Sequence, residues 1–347
     1  MNTAAGSELR GHVVIVTGAS SGIGRATALS LAARGATVLL AARRTEELDA
    51  VQAQIARRGG AARTVPTDVT RPEDLERLVA TALAVNGRID GLVNIAGIGH
   101  AHSIMTEDAM TEDALLEQMI AINLLAPIRL MRAVIPIMRE RGRGAIVNIG
   151  SLAGEIGVQG PYSATKFGLR GITDSVRREL AGTGIGVTLI EPGYIATPLT
   201  ANRPGAMPGP DIVARAVRAA LVRPRRRVIV PGKYRLAVFV ARTLPGIMDR
   251  RFAGRPGGRT RMDAGSRPAS DGPDPLRLST ADKERHHGEH LHLRFRGELR
   301  LRRTDPRLRR RAALGHRHRP IRRCPDHRRG GLDHPLQPAG QLHQRSG

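Results

Sequence analysis

The sequence predicts a doubly wound α/β domain built on a parallel sheet, and three observations point to it. Short apolar runs alternate with stretches of helical periodicity through residue 230. The first run enters a glycine-rich turn, Thr17-Gly-Ala-Ser-Ser-Gly-Ile-Gly24, which opens a helix. Small and polar residues come after the later runs, at the carboxyl ends of strands, where open α/β sheets bind their ligands.

His12-Val-Val-Ile-Val16 is apolar and β-branched, so it reads as a buried strand. Gly18 allows the tight turn after it. Gly22 and Gly24 let backbone and helix approach a pyrophosphate at the helix N-terminus. The helix uses Ala26, Ala28, Leu29, Leu31 and Ala32, and Gly35 ends it. A second strand over residues 36–42 ends at Arg43-Arg44, where a dinucleotide fold meets the adenosine ribose. An acidic residue there would take the 2′-hydroxyl. Two arginines after Ala42 suit a 2′-phosphate, so NADP(H) is favoured over NAD(H), with Arg43 as its ligand. Two solvated arginines opening a helix are the plainer alternative.

Residues 45–58 read as a helix closed by Gly59-Gly60. The third strand, residues 61–67, delivers Asp68-Val69; the Asp68 carboxylate either accepts from an adenine amino group or caps a turn. Pro72, Glu73 and Asp74 suit the first turn of the next helix. A fourth strand over residues 89–93 runs into Asn94-Ile-Ala-Gly97, whose small residues let backbone pass close to a cofactor. His100 and His102 lack a third ligand at a recognisable spacing, so no metal site is expected. Met105-Thr-Glu-Asp-Ala109 repeats at once as Met110-Thr-Glu-Asp-Ala114, too short a repeat for a solenoid. Its second copy can start a helix with Thr111 as N-cap. Asn123 interrupts the apolar face of that helix before a second one runs through Leu130, Met131, Val134 and Met138. A buried amide needs partners, so Asn123 is either held by backbone or part of a proton relay.

The fifth strand, residues 144–149, delivers Ser151 at its carboxyl end. Tyr162 and Lys166 lie on the next helix, and a spacing of four sets phenol and ammonium on one face. Among 55 basic residues only Lys166, Lys233 and Lys283 are lysines. Lysine, unlike arginine, has a pKa that can shift, which fits catalysis, although the pair alone equally describes a helix surface. The sixth strand, residues 184–190, ends in Glu191-Pro-Gly-Tyr-Ile-Ala-Thr197, and the Pro/Gly-rich stretch to about residue 206 reads as a mobile lid. A helix over residues 211–221, a seventh strand over 228–230 and an apolar helix over 235–244, stopped by Pro245-Gly246, complete the domain.

Charge separates this domain from the rest of the chain. Residues 1–250 carry 31 Lys+Arg and 21 Asp+Glu; residues 251–347 carry 24 and 10. The second segment has no sustained period and is rich in Arg, Gly, Pro and His, so it reads as an unstructured extension or as out-of-frame sequence. Its only aromatics are Phe252 and Phe295, too few to stack bases, and nucleic acid is not an expected partner. The one cysteine, Cys324, excludes a disulfide framework within the chain and agrees with a cytoplasmic location. Residues 1–11 contain no apolar run of the signal-peptide kind. Residues 234–248 are too few to span a bilayer and contain Arg235 and Arg242. Contact with a membrane surface stays open there, unsupported by any motif, beside a substrate cover and simple packing on the sheet.

Taken in order, the glycine turn, Asp68, Asn94-Ile-Ala-Gly97, Asn123, Ser151, Tyr162-Ser-Ala-Thr-Lys166, Pro192-Gly193, Ile195 and Thr197 resemble the short-chain dehydrogenase/reductase family over about residues 12–230. The resemblance implies a Rossmann-type fold with a seven-stranded parallel sheet, and hydride exchange between NADP(H) and a small-molecule carbonyl or secondary alcohol. It implies that Tyr162 is the general acid/base and that Lys166 lowers its pKa and holds the nicotinamide ribose. Ser151 would hydrogen-bond the substrate oxygen, and Asn123 would position a relay water. Gly18, Ser20, Ser21, Gly22, Ile23, Gly24, Asp68, Val69, Asn94, Ala96, Gly97, Pro192, Gly193, Ile195 and Thr197 would line the cofactor site with Tyr162 and Lys166. Family members commonly pair through the helices after Asn123 and Tyr162, so a homo-oligomer is implied. Ile95 stands where the family often has Asn, the loop between Ser151 and Tyr162 is short, and Arg225-Arg-Arg-Val-Ile-Val-Pro-Gly232 with its apolar helix replaces a glycine-rich ending. That ending looks like members acting on lipophilic carbonyls. An NAD-preferring enzyme and a non-catalytic cofactor-binding scaffold are the alternatives.

Overall fold

Valine- and isoleucine-rich runs pack well on a pleated surface, and most of the sheet is made of them. The structure, a computed structural model, describes residues 8–99, 109–157 and 159–253. Its strands are β1 (Val13–Thr17), β2 (Thr37–Ala42), β3 (Ala61–Pro66), β4 (Gly91–Asn94), β5 (Gly144–Ile149), β6 (Ile185–Pro192) and β7 (Arg227–Val230). They form one sheet of order β3-β2-β1-β4-β5-β6-β7, parallel at every pairing. The expected seven-stranded Rossmann-type sheet is therefore present. Strand order reverses between β1 and β4, which opens a crevice at their carboxyl ends.

The helices are α1 (Gly22–Ala32), α2 (Thr45–Arg57), α3 (Pro72–Asn86), α4 (Ala109–Ile120), α5 (Ala126–Glu140), α6 (Gly160–Glu179), α7 (Asp211–Val222), α8 (Tyr234–Thr243) and α9 (Pro245–Phe252). Alternation along β1 explains why its run is continuously apolar. Val14 and Val16 join a core with Leu31 of α1, Leu48 of α2 and Val213 of α7. Val13 and Ile15 join a second core with Leu78 of α3, Leu130 of α5 and Val176 of α6. A strand covered on both faces has no polar side to show. The stretch Asp113–Glu140 is long and apolar enough to cross a membrane by composition, but Leu130, Met131, Val134 and Met138 are spent on this second core.

Three local expectations are revised. Helix α4 already runs at Ala109, so Thr111 lies inside its first turn and is not the N-cap. Asn123 does not separate two helices; it sits in a π-helical turn, Ala121–Leu125, that joins α4 to α5. Pro245 ends α8 and also opens α9, because its fixed φ and missing N–H suit a first helical turn. His100, His102, residues 105–108 of the tandem repeat and the basic segment after residue 253 lie outside the described residues.

A buried charge cluster ties the carboxyl edge of β5–β7 to α6 and α8. Glu155, just after β5, meets Arg170 of α6 and Arg227 of β7 at 3.1 Å each, and Arg242 of α8 at 3.2 Å. Glu191 in β6 lies 3.1 Å from Arg227 Nε, yet neither of its oxygens has an aligned hydrogen bond. Burial first, and then the neighbouring Glu155 carboxyl, push Glu191 up to about 9. The folded state therefore keeps a proton that the unfolded chain releases near 4.5. Stability should fall as pH rises from about 4.5 towards 9, since the native state binds more protons across that window. Glu191→Gln is expected to flatten this decline and to raise Tm at pH 8, as read by thermal melts across the window.

Candidate active site

The crevice is floored by the turn after β1. Gly18 has φ +67°, and a Cβ there would come within 3.0 Å of the Ala96 nitrogen in the loop after β4. A Cβ on Gly24 would lie 1.9 Å from the Gly18 carbonyl oxygen, so no side chain fits where α1 leaves the turn. Thr17 closes the other side: its Oγ1 accepts from the backbone N–H groups of Ile95 (3.0 Å) and Ala96 (3.1 Å). Ser21 caps α1 in extended conformation without a side-chain bond to the helix, and the first turn carries no acidic residue. The helix N-terminus thus keeps its N–H groups and partial positive charge for an anion, which is what a dinucleotide pyrophosphate requires.

The sequence sets two arginines beside the ribose, with Arg43 as the expected ligand. Arg44 is the one that reaches the turn, donating from Nη2 to Ser20 Oγ at 3.0 Å and Ser21 Oγ at 3.1 Å. Its exposed pair with Glu47 at 3.0 Å is worth about 1 kcal/mol or less, so it holds Arg44 only weakly. Asp68 uses Oδ1 to accept from the Thr70 amide (2.9 Å) and hydroxyl (2.7 Å), the turn-capping alternative. Val69 is buried in the second core, and Ile195 in the first. Ile23 packs against that first core, as Ala96 does against the second. Thr197 faces the glycine turn: a Cβ at Gly22 would lie 3.2 Å from its Cγ2. Pro192 ends β6, paired with Val230. The Gly193 amide donates to Val230 O at 2.8 Å, and a Cβ there would lie 2.4 Å from the Tyr234 ring.

The chemical groups converge at the carboxyl ends of β4 and β5. Lys166 is buried, and its Nζ donates to the Ile149 carbonyl at 3.1 Å. It stands 5.7 Å from the centre of the Tyr162 ring. Gly97 passes beside both Asn123 and Lys166: a Cβ there would lie 3.1 Å from Asn123 Oδ1 and 3.6 Å from Lys166 Nζ. Asn123 Oδ1 accepts from the Ile98 amide at 3.0 Å, while Nδ2 donates to Ile98 O at 2.9 Å and to Thr165 Oγ1 at 3.2 Å. Its side chain is therefore committed to holding the loop after β4 against α6. Ser151 Oγ accepts from the Ala153 amide at 3.1 Å and faces the Tyr162 phenol.

Burial sets the electrostatics. It lowers Lys166 to about 8 and pushes the Tyr162 phenol above its usual 10.0, against the pull of Ser151 and with a smaller push from Tyr194. The resemblance implies that Lys166 lowers the Tyr162 pKa; in the protein alone burial raises it instead. Behind the site, Asn94 Nδ2 donates to Asn148 Oδ1 (2.8 Å), and Asn148 Nδ2 to Thr173 Oγ1 (2.9 Å), a polar ladder that locks β4, β5 and α6 in register. Thr17, Asn148 and Thr165 were not singled out from sequence. Thr17 could have been, as the polar residue ending an otherwise apolar strand; the others show no local signal. Among the described residues no cluster of His, Cys, Asp and Glu could hold a metal.

Fold and site together match a known class. Residues 12–207 match the short chain dehydrogenase family, and the chain belongs to that family of NAD(P)-dependent oxidoreductases acting on alcohol and carbonyl groups. It is 38% identical over 231 residues to the ketoacyl reductase HetN of Nostoc sp., covering 64% of this chain and 79% of that one. It is 40% identical over 200 residues to a 3-oxoacyl-(acyl-carrier-protein) reductase of Synechocystis sp., covering 56% and 78%. A crystal structure of a metagenomic short-chain oxidoreductase in complex with NADP superposes with a TM-score of 0.57 at 37% identity, covering 65% of this chain and 98% of that one.

A buried lysine whose pKa falls from 10.5 to about 8 disfavours folding below pH 8, and that penalty fades as pH rises to 10.5. Lys166→Met is therefore expected to melt at a higher temperature than the unaltered protein at pH 7. The difference should shrink by pH 10, and turnover should be lost.

Proposed function

We propose that the protein interconverts a lipophilic ketone and its secondary alcohol using NADP(H), with Tyr162 as the general acid/base. The observation that carries this reading is the meeting of Tyr162, Ser151 and buried Lys166 at the carboxyl end of β5. When bound, the nicotinamide dinucleotide supplies or takes the hydride. In the reducing direction Tyr162 donates its phenolic proton to the substrate oxygen, and Ser151 hydrogen-bonds the same oxygen. Lys166, cationic below its pKa of about 8, stabilises the phenolate left behind. Asn123 acts as a positioning residue, holding Gly97–Ile98 beside that ammonium.

A 2′-phosphate preference is supported by the absence of a carboxylate at residues 42–44 and by Arg44 poised over Ser20 and Ser21. The NADP complex of the similar oxidoreductase points the same way. For the substrate, Tyr194 (42% exposed) and Leu199 (56% exposed) stand near Tyr162 and Gly99 and give the mouth an apolar wall. The ketoacyl reductases among its relatives support an acyl-chain ketone as the substrate class. Self-association is supported by Leu125, just before α5, and Phe167 within α6, large apolar side chains 38% and 40% exposed.

Tyr162→Phe should lower kcat by roughly a thousandfold while NADPH still binds, as read by fluorescence titration beside turnover. Near-normal turnover would defeat the mechanism. Arg44→Ala should weaken NADPH about tenfold or more and leave NADH unchanged, whereas Arg43→Ala should do less; the reverse ranking would return the role to Arg43.

A further inference from the structure

The last two helices are only half used by the fold. On α8, Val238 is buried against the sheet edge, while Leu236 and Phe239 point away from it, 72% and 62% exposed. Leu236, Phe239, Val240 and Thr243 stand at i, i+3, i+4 and i+7, so they form one continuous outer face. Leu244 (53% exposed) and Ile247 (51% exposed) extend this face across the turn into α9. Four large apolar side chains exposed within twelve residues are unusual on a surface that stays in water.

Charge surrounds this face asymmetrically. Residues 233–252 contain Lys233, Arg235, Arg242, Arg250 and Arg251 against the single acid Asp249. Only Arg242 is paired, with Glu155 at 3.2 Å; the other four cations meet no carboxylate among the described residues. Arg235 and Arg242 lie one flank round the helix from the apolar face. There, together with Arg227, they line a cleft of about 420 Å³ walled by Ile229, Val238 and Phe239. An apolar face rimmed by Lys233, Arg235, Arg250 and Arg251, none of them ion-paired among the described residues, matches an anionic lipid surface: the apolar residues enter the acyl boundary while the cations stay at headgroup level.

Other occupants fit less well. A second copy in a two-fold contact would bring the same five cations against each other. Residues 251–347, with 24 basic and 10 acidic residues, would also be repelled from a basic rim. We propose that α8 and α9 form a peripheral docking surface for an anionic phospholipid bilayer, with a headgroup phosphate taken by Arg235 at the cleft, where Arg227 and Arg242 already pair with Glu155 and Glu191. This does not depend on which carbonyl the enzyme reduces.

The chain contains no tryptophan, so Phe239→Trp in the full-length protein places a single reporter in the face. On vesicles of equimolar phosphatidylglycerol and phosphatidylcholine its emission should shift to the blue and be quenched by brominated acyl chains. On phosphatidylcholine alone it should not. In the same background Leu236→Asp, at a site too exposed to threaten folding, should remove the shift. Arg235→Glu should weaken binding by roughly tenfold or more. Four results would overturn the proposal. The vesicles could sediment the protein with no shift, which would assign binding to the basic segment. Both lipid mixtures could shift the emission equally. The emission could already be blue in buffer, at all concentrations or growing with them, which would mean that the chain's own tail or a second copy covers the face. Leu236→Asp could leave vesicle binding unchanged.

Discussion

An ammonium group without water around it is the constraint on which this site depends. Lys166 lies in the interior at the carboxyl end of β5, bonded to a strand carbonyl and flanked by the Tyr162 ring, Gly97 and Asn123. A charge in that position is costly, and the surroundings are arranged to keep it there. A side chain at Gly97 would press on Asn123, coming within 3.1 Å of its Oδ1. Asn123 saturates its amide on the backbone of Ile98, so the loop that carries Gly97 does not drift. The π-helical turn that sets Asn123 in place departs from regular α-helix where the site needs a side chain re-aimed.

The sheet provides the rigidity for this arrangement. Most buried polar side chains on the central strands stand where strand ends meet the crevice, and several of them bridge to other elements. Thr17 bridges β1 to the loop after β4, and the Asn94–Asn148–Thr173 ladder bridges β4 through β5 to α6. These bridges run between different elements. The network therefore fixes relative position, and does so better than an apolar contact, which tolerates sliding. The Glu155–Glu191 cluster performs a related task at the far edge, where arginines from α6, β7 and α8 converge on two carboxyls.

Much of this is legible in the residues alone. The period of the apolar residues marks seven strands and most helices, because a strand covered on both faces and a helix covered on one leave different patterns. The glycine turn is legible because only glycine meets its backbone and packing demands. Tyr162 and Lys166 are legible as a pair because four residues on a helix make one face. Two choices that the residues leave open depend on distant neighbours. Arg43 and Arg44 are identical in type and adjacent in sequence; which one reaches Ser20 and Ser21 is set by the path of the chain leaving β2. Asp68 is equally suited to a ligand or a turn, and Thr70 takes its Oδ1.

The sequence by itself determined the order of the elements, the glycine-rich turn and the chemical groups available, since local backbone preference and periodicity depend on residues within a few positions. Only the tertiary structure decided how those groups titrate and which of them touch. The depressed pKa of Lys166, the raised phenol of Tyr162, the protonated Glu191 and the outward apolar face of α8 all follow from how much water each group loses. That loss depends on residues tens of positions away in the chain, which the fold alone brings into contact.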